Sequence, residues 1–389
     1  MFRAIKQVEG GVFSVVWDLG RRCSYSCSYC GPHHNNKWSP NASLEDLKIT
    51  MNGIARYTSL LNKHRKIPKK TSINFTGGEP TINPHFFEFI EHIKKNYPSV
   101  GINLTTNGCY NEKKCDLILK YVHCGTISYH VEASDQEKKL VHANIEKMKL
   151  NNFDFSVNLM MHKDYFDECI KVSEWLDSIN VKYKPRVIGD SNNLKDIEDG
   201  TAHIYNEQQL SWFKSYWNKN KQKVNNDAKS CEVATKLGRP CCAGKKLELL
   251  IDDEWQAGTF VPDTNFYEWS CMVNWHFLFI NSELDGVWHH QTCQVNLDGQ
   301  VGPIGKASDF NSIIANLEQK FNQNTINLIK CPKSYCGCGL CASKAKDESV
   351  AYDLFKSSIN NLEPIFQKEV QNLSNANSII NILKQRDIK

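Results

Sequence analysis

The sequence predicts an α/β fold, a partial (β/α)6 barrel like that of a TIM barrel, followed by a small α+β domain with β-hairpins. Three observations predict it. Short β-branched runs alternate with amphipathic helical patterns over the first half of the chain. Beyond about residue 245, hairpin-turn dipeptides separate short strands instead. Seven of the sixteen cysteines fall into two clusters, one at each end of this arrangement.

The composition excludes several classes of protein. The 389 residues are 41% hydrophobic and 23% charged, as in an ordinary globular protein. The net charge of +4 is too small to indicate a nucleic-acid scaffold. No run approaches the roughly 18 apolar residues of a membrane span, and the first residues lack the apolar segment of a secretion signal. We therefore expect a cytoplasmic protein without a membrane partner, whose cysteines are reduced.

Six strands are predicted in the first region, and each except the last is followed by a helical pattern. This alternation favours parallel βα units. The predicted strands are residues 12–17, 72–76, 101–105, 126–131, 155–160 and 182–187. The predicted helices are one that begins after the capping sequence at Ser43 and four more at 84–97, 112–121, 136–150 and 165–178. The periodicity alone leaves a flat doubly wound sheet as the alternative to the barrel.

The rest of the chain divides by pattern into three further regions. We expect the barrel at residues 1–190, a helical and loop connection at 191–245, the small domain at 246–345 and a helical tail at 346–389. The connection contains a helix near 207–217 and an exposed Lys/Asn-rich segment at 218–229. Short strands are predicted at 247–251, 275–280 and 294–301, with turns at Asp285-Gly286 and Asp298-Gly299.

Cys23, Cys27 and Cys30 follow directly after the first predicted strand. Three thiolates in one loop can hold three corners of an iron–sulfur cube and leave the fourth iron open to another ligand. The alternative is a structural zinc site that takes His33 or His34 as its fourth ligand. Ligand count and spacing alone allow both.

The order of motifs along the chain resembles the radical S-adenosylmethionine (SAM) superfamily. The cysteines form the pattern C-x3-C-x2-C with an aromatic residue before the last one. The later motifs of the resemblance occur in the family's order at Gly77-Gly78-Glu79-Pro80, Thr105-Thr106-Asn107-Gly108, Ile127-Ser128 and Pro185-Arg186. The resemblance covers roughly residues 12–190, about half of the chain.

The resemblance implies a [4Fe-4S] cluster on Cys23, Cys27 and Cys30, with SAM on the open iron. One electron from the cluster would cleave SAM to methionine and a 5′-deoxyadenosyl radical, which abstracts a hydrogen atom. The residues that the resemblance places around SAM are Tyr29, Gly77, Gly78, Glu79, Pro80, Asn107, Ser128 and Arg186. Tyr29 would lie against the adenine, Glu79 would accept from the ammonium, and Arg186 would bind the carboxylate. The alternatives are ordinary turns for the glycine and asparagine motifs, packing for Tyr29 and a surface position for Arg186. His130, Glu132 and His162 are candidate substrate contacts, and a structural role in packing is their alternative.

The second cysteine cluster resembles the auxiliary-cluster modules called SPASM and twitch. In these modules, cysteines at the two ends of a hairpin join a later C-x2-C to hold another [4Fe-4S] cluster. Cys271, Cys293, Cys338 and Cys341 match the twitch form, whereas Cys331 and Cys336 stay unassigned. The alternative is a zinc knuckle made of Cys331, Cys336, Cys338 and Cys341, since four thiols are what structural zinc prefers.

The resemblance therefore implies an oxidoreductase or transferase that acts on a peptide, a protein side chain or a small polar or sugar-like molecule. A flavodoxin- or ferredoxin-type protein would supply the electron. One alternative is a tRNA-modifying member of the same superfamily, which predicts salt-dependent RNA binding. The near-neutral charge argues against it. The other alternative is a non-catalytic zinc-binding interaction protein, which metal analysis distinguishes from both enzymes.

Overall fold

The computed structural model describes most of the chain in ten stretches. These are residues 1–7, 12–30, 36–188, 205–224, 247–258, 265–281, 283–291, 293–323, 328–332 and 342–359. Their strands form an eight-stranded and a six-stranded sheet, and the helices of the first half pack against the larger sheet. The candidate ligands His33, His34, Cys336, Cys338 and Cys341 lie outside the described residues.

The larger sheet carries the six predicted strands in chain order. All neighbouring pairs among them are parallel. The strands are β2 (Phe13–Asp18), β3 (Thr71–Thr76), β4 (Gly101–Thr106), β5 (Cys124–His130), β6 (Asp154–Met161) and β7 (Tyr183–Val187). A doubly wound sheet reverses its order at a switch point, and this one does not. The α/β partial barrel is confirmed, and the flat doubly wound alternative is wrong.

Five helices follow strands β2 to β6: the first begins directly after Ser43, as predicted, and the ends of the other four lie within two residues of the predicted ones. They are α1 (Leu44–His64), α2 (Phe86–Asn96), α3 (Glu112–Tyr121), α4 (Asp135–Leu150) and α5 (Phe166–Ser178). Local caps explain where three of them begin, because a side-chain oxygen accepts a free N–H of the first turn. Ser43 caps α1, Asn111 caps α3, and Ser134 forms a complete capping box on α4.

The two faces of the barrel strands differ in chemistry. One face is apolar and buried against the helices, with Trp17, Ile73, Phe75, Leu104 and Ile127 in the main core. The inner face of the barrel carries polar side chains that are half-exposed or exposed. They include Ser14, Asn74, Thr105, Thr126, Ser128, Asn158 and Arg186. The barrel therefore offers hydroxyl and amide groups to whatever lies inside it.

A strand from the second half of the chain extends the barrel sheet. β11 (Phe277–Ile280) is parallel to β2, and β12 (Val287–Trp288) is antiparallel to β11. This pair confirms the hairpin predicted at Asp285-Gly286, although Leu284 is the turn residue with positive φ, at 55°. The predicted strand 275–280 begins later, because Val273–Trp275 forms a turn of 3-10 helix.

The six-stranded sheet is antiparallel and contains the N-terminus. Its order is β13, β10, β14, β1, β8, β9. The strands are β1 (Phe2–Gln7), β8 (Leu247–Ile251), β9 (Glu254–Gly258), β10 (Ser270–Cys271), β13 (Ile329–Lys330) and β14 (Lys344–Ala345). The first strand of the chain thus lies in the second sheet, while β11 lies in the first. The domain boundaries drawn at residues 190, 245 and 345 stay a prediction.

Two further elements differ from the sequence-based expectations. Helix α6 (Glu207–Val224) continues into the predicted exposed connection, since its lysines are good helix formers. The predicted strand 294–301 is a tight turn closed by one bridge between Val295 and Val301. Helices α7 (Phe310–Asn322) and α8 (Glu348–Ser358) complete the described fold. None of the helices in these ranges is long and apolar enough to cross a membrane.

The packing of α1 on α7 leaves no room at Gly53. A Cβ at this position would overlap the Phe310 ring. We expect Gly53→Ala to lower the free energy of unfolding by about 1–3 kcal/mol, although alanine is the better helix former by ~1 kcal/mol. Urea unfolding measures this. The exposed neighbour is the control, since Asn52→Ala should change stability by about 0.5 kcal/mol or less. A Gly53→Ala protein as stable as the wild type would contradict this packing.

Candidate functional site: the cysteine loop at the carboxyl edge of the barrel

The three cysteines of the first cluster lie in the loop of residues 19–30, called the cysteine loop below. It leaves β2 at the carboxyl edge of the sheet, the edge at which barrel enzymes place their active sites. The chain after β3 holds its first half, because the Gly78 N–H donates to the Gly20 carbonyl and the Glu79 N–H to the Arg22 carbonyl, both at 2.7 Å. The predicted Gly-Gly-Glu-Pro motif therefore packs directly on the cysteine loop.

This close approach requires the two glycines. Gly77 has a φ of 123°, a conformation that L side chains rarely adopt. A Cβ on Gly78 would overlap the backbone of Arg22. Pro80 follows as the first residue of a buried 3-10 turn. Backbone rather than side chain thus forms this side of the site, and the predicted SAM contacts of these residues stay a prediction.

Glu79 is fully buried and joins the ends of β3 and β4. Its carboxylate accepts four hydrogen bonds, from the N–H and hydroxyl of Thr81, the hydroxyl of Thr106 and the N–H of Asn107, at 2.6–3.0 Å. Burial raises its pKa, and the four donors counteract that rise. In this structure the carboxylate holds the end of β4 against the turn after β3. Its contact with the SAM ammonium stays a prediction.

Asn107 connects the buried Glu79 carboxylate to the cysteine loop. Its side-chain amide donates to the Ser24 hydroxyl at 2.8 Å and lies 3.9 Å from the Cys23 sulfur. Its amide oxygen accepts from the Cys109 N–H at 2.9 Å, which closes the turn after β4. The first half of the cysteine loop is thereby tied to two strands.

Strand β5 holds the second half of the cysteine loop from the opposite side. His130 Nδ1 lies 3.3 Å from the Cys27 sulfur and 2.5 Å from the Tyr29 hydroxyl. The Tyr29 and His130 rings are stacked, with their centroids 5.9 Å apart. Burial lowers the pKa of His130 to about 4, so its imidazole is neutral at physiological pH. The predicted pocket histidine is therefore in contact with a predicted cluster ligand.

Ser28 connects the same segment to the ends of β5 and β6. Its N–H donates to a Glu132 carboxylate oxygen at 3.1 Å, and its hydroxyl lies 3.2 Å from His162 Nε2. The other Glu132 oxygen lies 3.7 Å from the same nitrogen. Sequence reasoning had assigned Glu132 and His162 to substrate contact or packing; the structure brings both against the cysteine loop. Sequence reasoning missed Ser24 and Ser28, and their only signal was their position between the cysteines.

The three thiols are partly buried neighbours. Burial is the main cause of the raised pKa of each, and it raises that of Cys27 to about 12. The charges of Cys23, Cys30 and Glu132 contribute further to the rise at Cys27, whereas the Tyr29 hydroxyl opposes it. All three are therefore thiols at neutral pH in the metal-free protein. Binding of a metal cluster must displace three protons.

The donor set of the loop fits an iron–sulfur cube. Each cysteine of a cube binds a separate iron, so the sulfurs need not converge on one point. Within the described ranges, no group of three or more His, Cys, Asp or Glu side chains could hold a metal ion as placed. Cys23, Cys27 and Cys30 would hold the cube, and the glycine backbone of the motif after β3 would border it.

Ser128 and Arg186 lie farther along the inner face of the barrel. Ser128 is paired in register with Asn158, whose amide oxygen accepts from Arg186 Nε at 3.0 Å. Arg186 is exposed. The two residues thus share one polar patch across β5, β6 and β7, and their predicted SAM contacts stay a prediction.

Two predicted ligands of the second centre lie together. Cys271 and Cys293 are buried in one small cluster with Phe277 and Val295. His289, directly after β12, is also fully buried, and burial lowers its pKa to about 3. Cys331 belongs to a different cluster with Ile5, Leu249, Phe266 and Trp269. Since Cys336, Cys338 and Cys341 lie outside the described residues, the auxiliary cluster and its ligand set stay a prediction.

Asp18, at the end of β2, is a site residue that the sequence analysis missed. Its carboxylate accepts from the Gly20 N–H at 3.4 Å and lies beside Gly77 and the Arg21–Glu283 ion pair. Burial raises its pKa from 3.8 to about 6, with a further rise from the Glu283 charge. The signal available in the sequence was its place at the carboxyl end of a strand.

The raised pKa of Asp18 predicts a pH dependence of stability. The folded protein binds the Asp18 proton more tightly than the unfolded chain does, so the free energy of unfolding should fall as pH rises from about 4 to about 6. Urea unfolding between pH 4.5 and 7.5 measures it, and Asp18→Asn should remove this part of the fall. Identical pH profiles of the two proteins would show that Asp18 is not the titrating group.

Comparison with known protein families identifies the barrel. Residues 17–176 match the family model of the radical SAM superfamily. These residues form a radical SAM domain. The match begins at the end of β2 and ends within α5, and thus includes the cysteine loop, the glycine motif and the strand ends that surround them. The domain implies a [4Fe-4S] cluster and SAM as cofactors.

Curated relatives of the radical SAM domain are named GTP 3',8-cyclase. The GTP 3',8-cyclase 2 of Mycobacterium tuberculosis (strain ATCC 25618 / H37Rv) is 33% identical over 90 residues, which cover 23% of each chain. The GTP 3',8-cyclase of Campylobacter curvus is 23% identical over 213 residues, 49% of this chain and 63% of that protein. The alignments thus span less than two thirds of these relatives.

Solved structures resemble the chain weakly. The structure of native anSMEcpe with bound AdoMet has a TM-score of 0.45 at 15% identity, covering 81% of this chain and 84% of that one. Streptococcus suis SuiB bound to precursor peptide SuiA has a TM-score of 0.43 at 12% identity, covering 72% and 60%. The assignment of the radical SAM domain does not depend on either.

Proposed function

We propose that the protein is a radical SAM enzyme that abstracts a hydrogen atom from a polar substrate. One observation carries the proposal: within a radical SAM domain, three cysteines occupy a single loop at the carboxyl edge of the barrel, and two glycines bring backbone against that loop. When bound, the cluster and SAM supply one-electron cleavage of the sulfonium, which yields methionine and a carbon radical that takes the hydrogen atom. A flavodoxin- or ferredoxin-type protein is the proposed reductant.

The side chains of the cysteine loop and its neighbours would bind the cluster and fix its position. Cys23, Cys27 and Cys30 give up their protons to bind iron, which their raised pKa values make dependent on pH. Glu79 and Asn107 fix the first half of the cysteine loop through buried hydrogen bonds.

The inner face of the barrel supports a polar substrate. Its half-exposed hydroxyl and amide groups, together with Arg186, can orient a peptide backbone or a sugar-like molecule by hydrogen bonds. A nucleotide is the second candidate, because the curated relatives are named for GTP and match the radical SAM domain at 33% identity. The polar face suits both classes.

The test is 5′-deoxyadenosine release. The reconstituted protein is incubated anaerobically with SAM and dithionite, and each candidate substrate is added in turn, with GTP, amino sugars and short peptides as the first panel. We expect basal release that one class accelerates, with a matching change in the mass of that compound. A protein that binds zinc without iron would contradict the proposal and support the non-catalytic alternative.

We further propose that Cys271 and Cys293 help to hold an auxiliary [4Fe-4S] cluster. Their burial in one cluster of side chains supports this. Two clusters would give about eight iron per chain, against about four for the cysteine loop alone. In a protein with Cys23, Cys27 and Cys30 replaced by alanine, about four iron should remain. The complete absence of iron from that variant would contradict the auxiliary cluster and leave the first proposal intact.

A further inference from the structure

The second half of the chain adds aromatic side chains to the inner face of the barrel. β11 is parallel to β2, which places Phe279 in register with Val16 on the inner face. The next residue pair, Phe279 and Trp288, lies across β11 and β12, with ring centroids 5.9 Å apart and both side chains half-buried. The alternate residues Leu278 and Ile280 belong to the main core, as the pleat of a strand requires. Phe279 and Trp288 therefore form an aromatic shelf inside the barrel.

The backbone of the hairpin holds the Trp288 ring in place. A Cβ on Gly286 would overlap this ring, so the indole lies against the turn between β11 and β12. On the same face of β11, Phe277 is buried in one cluster with Cys271 and Cys293, the proposed auxiliary ligands. A rigid, half-buried tryptophan offers a flat apolar surface to a ligand at low cost in conformational entropy. The aromatic shelf thus adjoins the second proposed centre.

Strand β7, at the other end of the barrel sheet, carries two cations on the inner face. Lys184 is in register with Asn158, and Arg186 with Met160. Both cations are exposed, and within the described ranges neither has an acidic partner. Two residues of one strand face are about 6.6 Å apart along the strand, so both side chains can reach one anionic group. Lys184 and Arg186 are called the cationic edge below.

We propose that the aromatic shelf and the cationic edge bind one substrate, an anionic compound with a planar ring. This inference rests on the proposed function and names the substrate class of its barrel. β12 and β7 are the two ends of the barrel sheet and do not pair with each other in the part of the chain described. The interior is therefore open between them. The ring would stack on Trp288, and the phosphate or carboxylate would bind Lys184 and Arg186.

The ring and the charge contribute separately to binding. Stacking on an aromatic side chain accepts any planar ring, whereas exposed cations select for negative charge. A nucleotide has both groups, and so does a peptide that ends in an aromatic residue with a free carboxylate. An amino sugar has neither a planar ring nor a negative charge. The inference therefore selects two of the substrate classes considered above and excludes the third.

The experiment is equilibrium dialysis with the reconstituted, SAM-loaded protein in the absence of a reductant. The probes are two matched pairs, guanosine monophosphate with guanosine and N-acetyltyrosine with N-acetyltyrosinamide. We expect one anionic probe to bind at least tenfold more tightly than its uncharged counterpart. Lys184→Gln should weaken the binding of that anionic probe about tenfold and leave its counterpart and SAM unchanged. Trp288→Ala should weaken the binding of both members of the pair about tenfold.

Two exposed residues outside the barrel interior supply matched controls. Lys171 is exposed on α5, and Trp255 is exposed on β9 of the other sheet. Lys171→Gln removes the same charge as Lys184→Gln, and Trp255→Ala removes the same ring as Trp288→Ala. Neither control should change the affinity for any probe. The pair that responds distinguishes a nucleotide from a peptide.

The outcomes separate this inference from the proposed function. A wild-type protein that holds no iron or releases no 5′-deoxyadenosine contradicts the proposed function itself. A wild-type protein that releases 5′-deoxyadenosine but binds neither anionic probe more tightly than its counterpart overturns the inference alone. Wild-type affinity in Lys184→Gln overturns it as well, as does an equal loss in Lys171→Gln, since net charge would then set the affinity. If circular dichroism shows that Trp288→Ala is unfolded, Lys184→Gln decides.

Discussion

Replacing Cys27 by alanine is expected to remove about four iron per chain and to abolish 5′-deoxyadenosine release. The cube has three protein ligands, and with only two it would expose a second iron to solvent. The Cys27 sulfur is held in the loop by His130, whose Nδ1 lies 3.3 Å from it. The measurements are iron content, visible absorption and 5′-deoxyadenosine release. The same loss is expected for Cys23→Ala and Cys30→Ala.

The matched control is a cysteine that the cluster does not need. Cys115 is fully buried in α3, among the core residues of the barrel. Cys115→Ala should cost some stability through the lost packing but keep the iron content and the activity of the wild type. Full iron content in Cys27→Ala would show that the cysteine loop is not the cluster site. Loss of iron in both variants would show that folding, rather than ligation, had been measured.

Replacing Gly78 by alanine is expected to have the second largest effect. The added Cβ would overlap the backbone of Arg22, and a backbone atom cannot move aside as a side chain can. The hydrogen bonds from Gly78 to Gly20 and from Glu79 to Arg22 would have to break or shift. We expect at least a tenfold loss of SAM-dependent 5′-deoxyadenosine release, since a displacement of about 1 Å in a catalytic site can cost 10²-fold.

Gly20, in the cysteine loop that Gly78 packs against, serves as the control for Gly78. A Cβ on Gly20 would meet only the Asn41 side chain at 3.8 Å, an ordinary contact. Gly20→Ala keeps the carbonyl that accepts from Gly78 and should retain activity. SAM binding by equilibrium dialysis and unfolding in urea, measured on both variants, separate a displaced site from an unfolded protein. Wild-type activity in Gly78→Ala would contradict the close packing of the two segments.

Much of the barrel was predictable because its signals are local. Each strand carries its β-branched run, each helix its apolar period, and Ser43, Asn111 and Ser134 mark helix starts by a capping side chain next to the first turn. The predicted ends of some elements are wrong where the residues of a segment are compatible with both a loop and a helix. Residues 218–224, for example, are polar enough for a loop and rich enough in lysine for a helix, and α6 extends through them.

The placement of β1 and β11 was not predictable in the same way. The residues of these two strands do not indicate which sheet each one joins, because pairing depends on partners more than two hundred residues away. β1 pairs with β8 and β14, and β11 with β2. Long-range pairing of this kind is decided by burial and hydrogen bonding in the assembled fold, to which local propensity contributes little.

By itself, the sequence determined the α/β class, the chain order of the six barrel strands and the five helices that follow them, and the loop with its three cysteines. These depend on residue type and spacing over a few turns, which the chain carries with it before it folds. Only the tertiary structure decided that the buried Glu79 carboxylate is hydrogen-bonded to Asn107, that Asp18 lies beside Gly77, and that His130 contacts Cys27. Such contacts join strand ends that parallel pairing places at one edge, and no local pattern encodes the side-chain distances across that edge.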